Sequence, residues 1–253
     1  MANCPAKRRG STGMAPRRRA RAPPLCTRNK MSDSQLLVSY CKSVLYPCDL
    51  LSLLPGAWIG DAVLSFFFDH LSSAAPPSAV LLPPSTCSII LHGSDAEELR
   101  ADLGALCARL ATADLVLLPV IDGSADAAVA ASGAHWTLLA WRRGRGFSHA
   151  NPCGAGGSNL ANARVMAAHV HPLLMDARGA SAGAAVAEAP SVEAQAGGAD
   201  CGAHVMQNAE AALGGGAPPP VGTYRRRVWE LAASLAYDEA ARAWFAARTF
   251  PAP

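Results

Sequence analysis

His135-Trp136-Thr137-Leu138-Leu139-Ala140-Trp141, then Arg142-Arg143-Gly144-Arg145, then Gly146-Phe147-Ser148-His149, is the stretch on which the fold turns. Two runs of strand length flank a polar break containing a glycine. That pattern predicts a hairpin, with strands over 135–141 and 146–149 and a turn at 142–145. Just upstream, Leu115 to Ile121 is an unbroken apolar run that predicts a buried strand. Residues 122–134, rich in Ala, Gly, Ser and Asp, predict a loop between it and the hairpin. The middle of the chain is therefore a cluster of strands.

Helical patterns lie on both sides of this cluster. Residues 58–71 predict a helix with an apolar, aromatic face (Val63, Leu64, Phe66, Phe67, Phe68), with Pro76-Pro77 just beyond its end. A short strand follows at 80–82, and Pro83-Pro84 turns the chain into a brief helix. Ser94-x-x-Glu97 has the form of a capping box, and Leu99, Leu103, Leu106 and Leu110 follow at helical spacing, predicting one amphipathic helix over 95–111. After the hairpin, a helix from Asn159 to about His171 is expected to close at Pro172. A weak strand at 185–187 sits in Ala/Gly-rich sequence. A helix over 202–213 should stop at Gly214-Gly215-Gly216, and a last helix or helix pair covers 224–247. Helices, then strands, then helices describe one α+β domain.

Composition excludes several functions. Of the 253 residues, the first 30 hold nine of the 22 Lys and Arg and none of the 19 acids. The remaining 13 bases face 19 acids, so residues 31–253 carry −6. A basic tail thus precedes an acidic body, and that body is not expected to bind nucleic acid. The tail, residues 1–30, lacks any apolar period and is expected to be disordered. It could be a nuclear signal or an organelle-targeting segment, or lie upstream of a start at Met31. No apolar run reaches the ~18–20 residues of a membrane span. The eight cysteines form no CxxC pair or regular spacing, which argues for reduced thiols rather than a zinc site or a disulfide framework. His169 and His171 flank one residue of a helix and point to different faces, so no metal is expected. Nor is any cofactor. The compartment expected is cytoplasmic or nuclear, and the protein is expected to act as a monomer.

The chemistry-bearing residues form a pattern. Cys201 precedes a helix, where backbone N–H groups favour a thiolate, and Gly202 leaves room beside the sulfur. His135 opens a strand after a loop, so its imidazole can take a thiol proton and return it to a leaving amine. The neighbouring strand ends at His149-Ala150-Asn151, which places the Asn151 oxygen within reach of the His135 ring. Gln195, six residues before Cys201, can donate its amide to a developing oxyanion together with the Cys201 N–H. Taken singly, these could be a small buried cysteine, a junction histidine, a turn asparagine and a loop glutamine. Together, in this order, they form a Cys-His-Asn site.

This set resembles the Ulp/sentrin-specific cysteine proteases, which process ubiquitin-like modifiers. His135-Trp136 matches the family's His-Trp pair, and His149-Ala150-Asn151 its His-aromatic-Asp segment. Gln195 to Asp200-Cys201-Gly202 matches its Gln-x5-Cys-Gly stretch, and Trp58-Ile59-Gly60-Asp61 its Trp-Leu-Asn-Asp segment. Ser39-Tyr40, Ser52-Leu53-Leu54, Leu82-Pro83, and Thr223-Tyr224 with Trp229 and Leu231 resemble the compact deneddylase branch, the sentrin-specific protease 8 type. The likeness covers about residues 36–236. Three positions depart from the pattern: Asn151 stands for aspartate, Gly60 for asparagine and Ala150 for an aromatic residue.

The resemblance implies a papain-like α+β fold of the Ulp type, with a central, mostly antiparallel sheet flanked by helices. It implies a cysteine protease that hydrolyses the bond after the C-terminal Gly-Gly of a ubiquitin-like modifier, most closely of the neddylation type. The catalytic residues would be Cys201, His135 and Asn151, with Gln195 at the oxyanion. Trp136 and Trp58 would roof and wall a channel narrow enough to favour glycine, and Asp61 would contact the modifier's tail. The partners implied are the modifier and its conjugates. Two alternatives stay open: a SUMO- or ubiquitin-directed protease of the same fold, and a weakly active pseudoprotease that binds the modifier.

Overall fold

In a computed structural model of the chain, the expected strand cluster is the centre of a five-stranded sheet. The structure describes residues 34–93, 96–122, 133, 135–154, 159–174, 184–214 and 216–251. The basic segment 1–30, Ser94 of the capping box and most of the 122–134 loop lie outside the described residues. A hairpin of β1 (Val38–Tyr40) and β2 (Ser43–Leu45) comes first, followed by α1 (Pro47–Leu51) and α2 (Asp61–Ala74). Next come β3 (Ala79–Leu81), α3 (Pro84–His92), α4 (Ala96–Leu103), α5 (Ala105–Thr112) and β4 (Leu115–Ile121). The hairpin strands β5 (Trp136–Arg142) and β6 (Gly146–Ala150) precede α6 (Asn159–Leu174) and β7 (Val186–Ala189). The chain finishes with α7 (Cys201–Leu213), α8 (Tyr224–Ser234) and α9 (Glu239–Ala246).

The sheet order is β3-β4-β5-β6-β7. The inner pairs β4-β5 and β5-β6 are antiparallel, and the outer pairs β3-β4 and β6-β7 are parallel. Each parallel edge strand is reached through helices, as parallel pairing requires. The pleat divides the strand residues between two cores. Leu115, Leu117, Trp136 and Leu138 face α2, α7, α8 and α9. Val116, Leu118, Val120, Leu139, Trp141 and Phe147 face α3, α5 and α6. Helices cover both faces, which is why β4 reads as an apolar run without alternation.

Several elements differ from expectation for identifiable reasons. The helix expected from Trp58 begins at Asp61, because residues 58–60 are not helical and Gly60, its N-cap, is extended. The single helix expected over 95–111 is two, α4 and α5, broken where Gly104 adopts φ +48°. That left-handed conformation ends a helix and suits glycine. Pro172 does not end α6; the helix continues to Leu174, with Leu173 and Leu174 buried. Proline removes one bond, to Ala168, and both residues lie on the exposed side of the helix. The β1-β2 hairpin was not expected. Its strands are three residues long, and Asp69 of α2 fastens its turn by accepting from Lys42 N and Ser43 Oγ at 3.1 and 2.7 Å.

α7 and α8 are joined by a polar cluster. Both Nη groups of Arg227 donate to the Glu210 carboxylate at 2.9 and 3.0 Å, and the Tyr224 hydroxyl donates to it as well. The Arg227 hydrogen bond, opposed by partial burial, holds the Glu210 carboxyl below its ordinary range. A native value below the unfolded one stabilises above the ordinary carboxylate range, and this contribution is lost as pH falls through the native value. Glu210→Gln is therefore expected to lower the melting temperature at neutral pH, with the gap to wild type closing below about pH 4. Thermal unfolding followed by circular dichroism across that range checks this.

Candidate active site

The site forms where β5 begins. Pairing of Ile121 with Trp136 brings the end of β4 beside His135. The His135 N–H donates to Asp122 Oδ1 at 2.8 Å, and Asp122 N–H returns a bond to the His135 carbonyl at 3.2 Å. Asn159, fully buried at the start of α6, donates to both the His135 carbonyl (2.9 Å) and the Val120 carbonyl (3.1 Å). The histidine backbone is therefore fixed by a sheet end and a helix start.

Asn151 follows β6. Leu138 pairs with Ala150, so one further step sets Asn151 against Thr137 and makes His135 its diagonal neighbour. Asn151 Oδ1 lies 2.9 Å from His135 Nε2 and accepts from the Cys153 N–H at 3.0 Å. A backbone N–H can only donate, so the atom facing it is the amide oxygen. That oxygen can only accept, so His135 Nε2 carries the proton and Nδ1 is left as the basic nitrogen. His149, two residues before Asn151, is not a competing base. It is buried and bonded to Thr137 Oγ1 at 2.8 Å, and burial pulls its pKa down to about 4.

Cys201 opens α7, which packs on β5. Its thiol receives the backbone N–H of Trp136, the residue after His135, and those of Gly202 and Cys201 itself. These N–H groups favour the thiolate as expected from the sequence, yet the net direction is the reverse. The sulfur is buried, with Cys201 only 1% exposed, and desolvation outweighs the three donors and raises the pKa. Gly202 is required for another reason. A Cβ there would lie 2.7 Å from Ile59 Cβ, so α7 approaches this segment only because the side chain is absent.

The other expected residues lie around this centre. Trp136 is buried, and its indole N–H donates to the Ile59 carbonyl at 3.1 Å. Trp58, one residue before Ile59, is 43% exposed. Asp61 is exposed at the start of α2, where it accepts from the Ala62 N–H. The Gln195 loop is tied to the Asn151 turn by Gln195 N–H to the Pro152 carbonyl at 2.8 Å. The Gln195 amide N–H donates to the Gly197 carbonyl and its oxygen accepts from the Cys153 thiol at 3.7 Å, so both ends of the amide are engaged by neighbouring loops. A cavity of about 330 Å³ opens beside Asn151, lined in part by Leu160, Glu188 and Ser191. Sequence reading missed Asp122 and Asn159, which hold His135, and Arg225, which pairs with Asp200. The one local signal was an asparagine at a helix start, the place where Asn side chains bond neighbouring backbone. Among the described residues there is no cluster of ligands for a metal ion, and no helix is long and apolar enough to cross a membrane.

No family model matches the chain. A NEDD8-specific protease 1 of Arabidopsis thaliana is 34% identical over 111 residues, 44% of this chain and 48% of that protein. A probable sentrin-specific protease 8 of Dictyostelium discoideum is 29% identical over 116 residues, 43% of this chain and 46% of that protein. The chain thus matches somewhat less than half the length of each. Among solved structures, the C-terminal Ulp1 protease domain in complex with Smt3, the yeast ortholog of SUMO, superposes with a TM-score of 0.61. That superposition covers 83% of this chain and 97% of that one, at 13% identity. The fold is that of the Ulp-type cysteine proteases. The two sequence relatives are named as a NEDD8-specific and a sentrin-specific protease, in agreement with the resemblance of the motifs.

Burial makes two predictions here. Iodoacetamide should alkylate Cys201 with a pH midpoint above the ~8.5 of a free thiol, as followed by mass spectrometry of the Cys201 peptide. Gly202→Ala should destabilise the protein by ~1–3 kcal/mol through overpacking against Ile59, as measured by urea unfolding.

Proposed function

We propose that the protein is a cysteine protease that cleaves after the C-terminal glycine of a ubiquitin-like modifier. The observation that carries this reading is the Asn151 oxygen bridging the Cys153 N–H and His135 Nε2. It leaves His135 Nδ1 as a base at the β5 end against which the Cys201 thiol is buried. His135 takes the thiol proton while sulfur attacks the glycine carbonyl carbon. Backbone N–H groups at the start of α7, joined by the Gln195 amide after it rotates from Gly197, face the oxyanion. The tetrahedral intermediate expels the amine, which takes the proton from His135. Water, deprotonated by His135, then hydrolyses the thioester and frees Cys201. Exposed Trp58 is suited to walling the channel that receives the Gly-Gly end, and Asp61 to meeting the tail behind it.

Within this class we assign the preference to a NEDD8-type modifier, on the stronger of the two sequence matches, which is to a NEDD8-specific protease. Reaction with NEDD8, SUMO and ubiquitin probes, each bearing a C-terminal electrophile, tests activity and preference together. Fastest capture of the NEDD8 probe at Cys201, abolished in a folded Cys201→Ala protein, is the expected result. Labelling at another cysteine, or none, would refute the reading. Faster capture of the SUMO or ubiquitin probe would reassign the modifier.

Asn151 favours a second reading, a weakly active protein that mainly holds the modifier. An amide oxygen offers the imidazolium a dipole where an aspartate offers a full charge. If this limits turnover, Asn151→Asp should raise kcat on the order of tenfold, because charge-assisted hydrogen bonds are about twice as strong as neutral ones. Steady-state cleavage of a modifier with a fluorogenic C-terminal amide measures the change.

A further inference from the structure

We propose that Arg225 is a positioning residue of this site. It fixes the segment that leads into the nucleophile in register with the segment that leads into the exposed channel wall. The inference rests on the protease reading above and adds a residue that none of the sequence motifs contains.

Arg225 lies on α8 and is only 6% exposed. Its guanidinium has five N–H groups, and the structure gives each a partner. Nε donates to Asp200 Oδ1 at 2.9 Å. Nη1 donates to the carbonyls of Ser52 and Leu54 at 3.0 and 3.1 Å. Nη2 donates to the carbonyls of Ala57 and Ala199 at 2.7 and 2.8 Å. Three bonds hold the stretch that ends at Trp58, and two hold the residues just before Cys201.

Asp200 responds to this arrangement. It is the N-cap residue of α7, yet its side chain makes no capping bond and turns to Arg225 instead. The two clamped segments meet again one step further on. The Ile59 side chain fills the space that a Cβ on Gly202 would occupy, and the Ile59 carbonyl accepts the Trp136 indole N–H. The guanidinium thus closes a ring that runs from residues 52–57 through Ile59 to Gly202, Cys201 and Asp200. Lysine cannot replace it. An ammonium has three donors and no planar fork, so at least two of the five bonds are lost.

The decisive variant is Arg225→Lys, with Arg226→Lys as control. Arg226 is exposed on the same helix and makes only a 3.4 Å bond to the Pro251 carbonyl. Both are assayed at a temperature where circular dichroism shows them folded. Three readouts are compared: Cys201 capture by a NEDD8 probe with a C-terminal electrophile, Cys201 alkylation by iodoacetamide, and amide exchange by mass spectrometry. For Arg225→Lys, probe capture is expected to slow ~100-fold, the scale of a ~1 Å misplacement. Iodoacetamide makes no use of the surface that receives the modifier, so its reaction with the buried Cys201 should be no slower than in wild type. Exchange should rise in peptides covering 52–60 and 197–203, while Arg226→Lys matches wild type throughout.

Capture within about threefold of wild type, or an equal loss in both reactions, overturns the proposal. If Arg225→Lys does not fold, Asp200→Asn carries the test, since it leaves the four carbonyl bonds in place. About tenfold slower capture then supports the proposal, and an unchanged rate overturns it. If no modifier probe captures even the wild type, the protease reading fails by itself. The exchange measurement still decides the clamp, because unchanged protection of both segments in Arg225→Lys contradicts it.

Discussion

The site depends on how closely the start of α7 can approach the chain at Ile59. Gly202 permits that approach because it has no side chain, and Ile59 occupies the space so released. Ile59 also takes the Trp136 indole N–H, so the tryptophan that follows His135 is held by the same residue against which the start of α7 packs. Two segments distant in sequence, the starts of α7 and β5, converge on one β-branched side chain and its carbonyl. With this contact in place, the sulfur lies under the backbone of β5.

What the sequence revealed followed from local pattern. β4 runs from Leu115 to Ile121 as its apolar run predicts, and the β5-β6 hairpin and the end of α7 at Gly214 lie within a residue or so of expectation. Cys201, His135 and Asn151 could be nominated because each sits at the end of a legible element. The residues that hold them could not. Arg225 reads as one of three arginines in an exposed-looking run, yet it is buried and bonded across more than 160 residues. Asn159 reads as a helix start, and its reach to two strand ends becomes visible only once the sheet has formed. The break at Gly104 was hidden because Leu99, Leu103, Leu106 and Leu110 keep helical spacing across it.

The direction of the Cys201 pKa shows a related limit. A helix start is a local feature and its effect has a known sign. Burial is a property of the assembled core, and here it is the larger effect. Burial leaves the Cys201 thiol harder to ionise than a helix start alone would, and on the protease reading it relies on His135 to take its proton at the moment of attack. That reliance gives weight to the residue behind the histidine. Asn151 fixes which imidazole nitrogen is basic through the same oxygen that accepts the Cys153 N–H. Orientation is therefore secured by a turn that forms with the hairpin, and only the electrostatic part of an aspartate's role is missing.

The span of the Arg225 bonds has a consequence for how the protein is made. The carbonyls of Ser52, Leu54 and Ala57 leave the ribosome long before the guanidinium that binds them. The hairpin carrying His135 and Asn151 can pair as soon as it emerges, and α7 can dock on it. The ring that joins the nucleophile segment to the wall closes only after α8 has been synthesised. A chain that stops before α8 would thus carry Cys201, His135 and Asn151 without the guanidinium that ties the two segments together. The clamp itself therefore arrives only with the C-terminal helices.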